Sequence, residues 1–526
     1  TLFGYGLRPR GAVSLHSLTT RSTQPTVMRF LSLLCVLALS MASLHAQPTF
    51  SEVQKLLASD LQANDEFGWS VSISGDRAIV GARGEDAGGS EAGAAYVYER
   101  DVAGVWQEVQ KLVASDAQAF DYFQPVSISG DRLVVGAFAE DAGGVNAGAA
   151  YVFERDGAGV WQEVQKLVAS DAQASDQFGR SVSISGDRLV VGAEQEDAGG
   201  SRAGAAYVYE RDGTGVWQEV QKLVASDAQA NDVFGTSVSI SGDRLVAGAE
   251  GEDAGGSSAG AAYVYERNGA GVWQEVQKLV ASDAQANDYF GWSVSISGDR
   301  LVVGAEQEDA GGSRAGAAYV YERNGAGVWQ EVQKLVASDA QAFDYFGRSV
   351  SISGDRLVVG AWREDAGGSD AGAAYVFERD GAGVWQEVQK MVASDAQAGD
   401  WFGCSVSISG DRTFVGASRE DAGGIDAGAA YVFEVVPITW TGTNGTDWND
   451  GGNWNLGTVP GAADEITILS SPSGPHFPVV DFDLTVGDLT IEPGATLDIE
   501  PGHALIIAAD DTIRAFGTVT LRSDST

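Results

Sequence analysis

A phenylalanine recurs at Phe67, Phe123, Phe178, Phe234, Phe290, Phe346 and Phe402, spaced 56 residues apart with one interval of 55. The short interval is a one-residue deletion, Phe123-Gln-Pro-Val where the other copies read Phe-Gly-x-Ser-Val. Self-similarity at a fixed period means one supersecondary unit that buries its apolar faces against copies of itself. In the first full copy Ser70-Val-Ser-Ile-Ser74 alternates strictly, and Ser74-Gly-Asp-Arg77 reads as a hairpin turn into Arg77–Ala82. Ala94–Glu99 is a third strand, and Asp101-Val-Ala-Gly104 turns into a fourth, Val105–Leu112. β-Branched and aromatic residues dominate all four. Four strands in seven copies predict an all-β fold, a seven-bladed β-propeller. An open solenoid is the competing arrangement, and the chain ends discriminate between the two. Phe50–Leu56 is a fourth strand without its own blade, and the last copy, Ser405–Glu434, holds three strands before the pattern stops at Pro437. The two incomplete ends sum to one blade. The N-terminal strand is therefore expected to complete blade seven and close the ring, which removes the need for the caps of a solenoid.

The residues Phe67-Gly68, Gly81-Ala82 and Gly93-Ala94-Ala95-Tyr96 resemble the FG-GAP repeat of the integrin α-subunit propeller and of bacterial surface proteins, over residues 49–436. The resemblance implies the same propeller fold and an adhesive or ligand-binding role. Two departures matter. The Pro that usually follows Gly-Ala is replaced by Arg83, Phe138, Glu194, Glu250, Glu306, Trp362 and Ser418. The Asp-rich calcium loop that such repeats often insert between their first two strands is replaced by Ser-Gly-Asp-Arg in every copy, so calcium is not expected in that family's usual place.

The chain carries 73 acids against 33 bases, a net charge of −40. That balance argues against nucleic acid and against anionic membrane as partners. Met28–Ala46 has one basic residue, a short apolar run and a small residue before Gln47, the pattern of a secretory signal peptide. A membrane anchor is the alternative, but the run is shorter than the ~20 residues of a span. Residues 1–27 read as an untranslated or disordered leader, 28–46 as the signal, 47–436 as the propeller, and 437–526 as a truncated Trp-rich β domain. In the last segment, Trp440, Trp448 and Trp454 precede apolar pulses at Leu489–Ile491, Leu497–Ile499, Leu505–Ile507 and Val519–Leu521, the expected start of a parallel β-helix, with the aromatics in its core. Cys35 lies in the signal, so Cys404 is left as a lone thiol and stability must come from packing. An extracellular or cell-surface monomer is expected.

Past the signal the only histidines are His476 and His503, both outside the propeller, which removes Ser-His-Asp and Cys-His arrangements from the ring. No enzyme is expected, and no cofactor or metal is assigned. Comparison of the seven copies is more informative. The loop between strands two and three and the loop entering the next blade should share one face, and almost all variation falls there. The opposite face keeps Ser-Gly-Asp-Arg unchanged. Loop drift alone would favour small polar residues, whereas these positions receive Trp, Tyr, Phe and Arg, the types that dominate recognition hot spots. The ligand-binding candidates are Trp69, Arg83, Phe138, Arg180, Trp292, Arg348, Trp362, Arg363, Trp401 and Arg419. Four acids per blade, such as Asp60, Asp65, Glu85 and Asp86, read as solvated charge and turn caps, with calcium bridging of adjacent loops as the alternative. The expected partner is an extracellular protein or glycan. A spacer presenting a further domain and an accessory module of a polysaccharide-active enzyme are the rival readings.

Overall fold

The computed structural model describes residues 49–455, 457, 459–460, 466–486, 489–507 and 513–521. The expected leader and signal peptide lie outside these. The chain divides into two compact units, residues 48–436 and the unit from Pro437 onward.

In the first unit seven four-stranded antiparallel sheets follow one another. The first blade runs Phe67–Ser74, Arg77–Ala82, Ala94–Arg100 and Trp106–Leu112, in that order across the sheet. The seventh combines Phe402–Ser409, Arg412–Ala417 and Ala429–Val436 with Thr49–Leu56 as its fourth strand. Phe50 pairs with Val435 and Leu56 with Ala430. The ring is closed by the propeller's own first strand, as the incomplete ends predict.

The alternation in Ser-Val-Ser-Ile-Ser explains how the blades join. Val71 and Ile73 are buried between sheets, while the serines bridge first strand to first strand. Ser70, Ser72 and Ser74 accept from the backbone N–H groups of Val126, Ile128 and Gly130 at 3.1, 3.1 and 3.0 Å. The same link closes the ring from Ser407 to Ile73, at 3.1 Å. Further out, each fourth-strand glutamine clamps the backbone of the next blade. Gln54 holds Trp106, and Gln389 holds Phe50 through both its amide oxygen and its amide nitrogen.

The motif residues prove to be scaffold. Phe67 is fully buried, edge-on to Tyr96 at 5.5 Å and to Tyr98 at 6.3 Å. Burial of such a ring stabilises by about 1.5–3 kcal/mol, seven times over. Gly148, at φ 86°, lets the loop lie against the backbone of Phe178 in the next blade, where the two form a parallel bridge.

On the hairpin face the invariant Ser-Gly-Asp-Arg builds a ring of ion pairs. Each Arg reaches the hairpin Asp of the following blade, as in Arg77 to Asp131 at 3.1 Å, and Arg412 completes the circuit to Asp76.

The second unit pairs its strands in parallel. Ile438–Thr439, Ile466–Ile468, Leu489–Ile491 and Ile513–Ala515 stack in one sheet, Val479–Val480, Thr496–Ile499 and Thr518–Leu521 in a second, and Leu484–Val486 with Leu505–Ile507 in a third. Three parallel stacks are compatible with the start of a β-helix, as the sequence pulses suggest. Trp440, Trp448 and Trp454 are buried in its core, with Trp454 4.7 Å from Trp448 and 5.0 Å from Trp440.

Candidate functional site

The two variable loops meet on one rim, and backbone bonds hold them there. The loop entering the second blade donates from Phe120, Tyr122 and Phe123 to the carbonyls of Ser90, Glu91 and Ala92 in the preceding blade. The residue before each motif Phe has a positive φ, from 52° at Glu66 to 60° at Trp401, which turns its side chain out of the strand register.

All ten residues singled out in the sequence engage one another or their variable neighbours around this rim. Arg83 lies 4.8 Å over Trp69 and 4.9 Å over Tyr122, and 3.7 Å from Glu66. Tyr122 stacks on Phe138 at 5.4 Å. Arg180 lies over Phe138, 5.7 Å from its ring, and meets Glu194 at 3.3 Å. Arg348 sits 4.5 Å over Trp292, 5.6 Å over Trp362 and 3.4 Å from Glu306. Trp362 is edge-on to Trp401 at 4.5 Å, Arg363 lies 4.3 Å over Trp362, and Arg419 3.4 Å over Trp401. These side chains are half-buried and interlocked rather than free in solvent.

Residue type alone passed over the acids of the same ring. Glu194, Glu250 and Glu306 follow Gly-Ala in three consecutive blades. Burial, reinforced by its two acidic neighbours, pushes the Glu250 carboxyl up to about 8. Its Oε2 is buried without a hydrogen-bond partner, as are Trp362 Nε1, Arg363 Nε, Ser418 Oγ and Arg419 Nε. All five belong to the two positions after Gly-Ala. Glutamates thus follow Gly-Ala on blades three to five, whereas arginine lies on tryptophan from the blade five to six junction, where Arg348 covers Trp292, through blades seven and one.

The acids below the rim behave differently from the sequence expectation of solvated charge. Asp65 and Glu85 are 3 % exposed. Lys111 on the fourth strand reaches Glu85 at 2.6 Å and Asp60 at 2.7 Å, the Tyr96 hydroxyl donates to Asp60, and the Ala87 N–H donates to Glu85. Asp65 caps the Gln62 N–H, and burial raises its carboxyl to about 6. Asp86, exposed, caps the Glu91 N–H, as expected of a turn acid. In blade seven Lys55 of the closing strand takes the place of Lys111, bonding Asp395 and Glu420. Among the described residues no three His, Cys, Asp or Glu side chains are grouped to hold a metal ion, and no helix is long and apolar enough to cross a membrane.

Comparisons with known proteins bear on the scaffold. No curated protein matches this chain. Among solved structures, a protein from Lactobacillus plantarum aligns at 14 % identity and a TM-score of 0.44, covering 64 % of this chain and 87 % of its own. The periplasmic gluconolactonase of Pseudomonas aeruginosa aligns at 15 % identity and a TM-score of 0.43, covering 62 % and 86 %. Residues 439–526 match a family described as a domain of unknown function, DUF8693. The FG-GAP repeat model matches residues 50–98, 106–153, 161–209, 217–265, 273–321, 329–377 and 385–433. Each of the seven matches spans the fourth strand of one blade and the first three strands of the next, so the repeat is offset from the blade by one strand, and the chain belongs to the FG-GAP repeat family.

Proposed function

We propose that this chain is an exported, non-catalytic binding propeller whose variable rim contacts an extracellular protein or glycan. The observation that carries the reading is that seven otherwise near-identical blades place their differences in one contiguous ring of Trp, Tyr, Phe, Arg and Glu. Large aromatic and guanidinium groups provide contact area at little entropic cost, and half-buried ones are already ordered before a ligand arrives. Two further features support it. Five buried polar atoms at the rim lack partners, and such atoms cost free energy unless a ligand or water meets them. Phe120 and Phe343, about half exposed, hold φ values of 70° and 72° at a loop position where the other copies carry Asn64, Ser175, Asn231, Asn287 and Gly399. A left-handed phenylalanine costs roughly 1–2 kcal/mol, and its exposed ring gains nothing inside the fold.

The test is an array of glycans and surface proteins probed with the chain and with the double variant Trp362→Ala, Arg363→Ala. Saturable binding by the parent, weakened at least tenfold in a variant with unchanged circular dichroism, is the expected result. No saturable binding by the parent favours a spacer and overturns the reading.

A further inference from the structure

The hairpin face carries a second ring of arginines, and this ring has a break. In six blades the third strand ends in Glu-Arg, and that Arg grips the Glu of the preceding blade through two nitrogens. Arg379 meets Glu322 at 2.6 and 3.2 Å, Arg323 meets Glu266 at 2.6 and 3.1 Å, and Arg100 meets Glu434 at 2.8 and 2.9 Å. The seventh blade has Val435 at this position. Its N–H bonds the Asp411 carbonyl as the Arg100 N–H bonds that of Asp76, so the two residues occupy equivalent places.

Three changes coincide at this one seam, between blades six and seven. Val435 replaces the arginine. Phe50 replaces the tryptophan that begins every other fourth strand, such as Trp106. The hairpin from strand three to strand four that roofs each arginine does not exist here, because strand four is Thr49–Leu56, which precedes the first blade in sequence. Elsewhere that turn lies so close that a Cβ on Gly104 would meet the Arg100 guanidinium at 2.8 Å.

The result is an open cavity of about 290 Å³ lined by Ser353, Asp355, Arg356, Glu378, Arg379 and Gly410. Charge follows the same logic. Across this face the invariant Asp and Glu number seven each, whereas the arginines number seven on the second strands and six on the third. Arg356 leans into the gap, holding Glu378 at 2.7 Å where the equivalent pairs stand at 3.3–3.6 Å, and it also meets Asp411. One guanidinium still serves two carboxylates that in the other blades have two.

We infer that this cavity is a binding socket for a guanidinium group, the arginine side chain of a polypeptide or a free alkylguanidine. It would pair with Glu378 in the fork geometry that Arg379 makes with Glu322, a match an ammonium cannot reproduce. The socket is on the face opposite the variable rim and is independent of any ligand bound there.

The experiment uses the full chain with N-acetylarginine amide, N-acetyllysine amide and the capped peptide Gly-Gly-Arg-Gly-Gly, read as saturable shifts in melting temperature and by calorimetry. Binding of the arginine compounds at least fivefold tighter than the lysine compound is expected. Tighter binding of the peptide than of the amide identifies a polypeptide source, and equal binding a free solute. The variant Val435→Arg should raise the melting temperature and abolish binding by filling the socket from within. Glu378→Gln should abolish binding without the rise, which keeps the test decisive if Val435→Arg fails to fold. Arginine binding that survives Glu378→Gln, or no preference over lysine, overturns the proposal.

Discussion

Arg412 of the seventh blade lies 2.9 Å from Asp76 of the first, across 336 residues of sequence, in the same pairing that joins every other pair of successive blades. The last and first blades are thus linked by a repeat unit's ordinary contact. An exposed ion pair contributes only about 0–1 kcal/mol, so Arg412→Ala should cost no more than Arg188→Ala, which breaks the pair to Asp243 within one continuous stretch. The closing strand itself matters far more. Its loss leaves Ala429–Val436 as an unpaired edge and removes Lys55 from Asp395 and Glu420. Deletion of residues 49–56 should lower the urea midpoint sharply, and a peptide of that sequence added in trans should restore part of it. A deletion variant that melts like the parent would sink the closed ring.

Two glycines with positive φ separate backbone strain from packing. Gly298, at 59° in the hairpin, has open space where a Cβ would stand. Gly260, at 86°, has the backbone of Phe290 from the next blade in that place. Gly298→Ala should cost about 1–2 kcal/mol, the price of a left-handed alanine. Gly260→Ala should cost more than about 3 kcal/mol, since two blades must part to admit the methyl. Equal losses in denaturant melts would mean that the blades are not held at this distance.

Blade count, strand limits and closure were legible because each rests on local alternation and on the arithmetic of repeats. The rim was legible only by residue type. Trp362 and Arg363 stand out in a comparison of copies, whereas the importance of Glu250 comes from Glu194 and Glu306 lying beside it from separate blades. Likewise nothing near Glu85 in sequence announces Lys111, 26 residues on, and an acid without a visible partner reads as solvated. In the second unit Leu489–Ile491 was readable as an apolar pulse. Val479–Val480 was not, since two residues show no period and their partners arrive only when the chain has coiled once.

Millimolar calcium should leave the propeller's melting temperature unchanged. Calcium seeks several hard oxygen ligands with free lone pairs, and the buried glutamate of each blade already has an ammonium within 2.6–2.8 Å. Lys111→Met removes that cation and leaves Glu85 buried with the Ala87 N–H, so a loss of about 3 kcal/mol is expected. A rise in the parent's melting temperature with calcium would show that the lysines yield their places.

The rim's divided charge should make stability depend on pH near neutrality. Glu250 is pushed up to about 8, first by burial and then by Glu194 and Glu306, against the opposing pull of Arg180 and Arg348. A carboxyl that holds its proton more tightly when folded supports the fold while protonated, and that support is lost as pH rises from the ordinary value of 4.5 through about 8. Asp65, Asp288, Asp344 and Asp400, each at about 6, act in the same direction but have largely finished titrating by pH 7. Glu306, also raised by burial, acts in the same direction. The urea midpoint of the parent should therefore fall between pH 6.5 and 8.5. Glu250→Gln keeps the volume and removes the proton, so its midpoint should fall markedly less over the same interval. Equal falls in parent and variant would show that Glu250 is already ionised at pH 6.5, with its charge neutralised by Arg180 and Arg348, and Glu250 would then offer a ligand no proton.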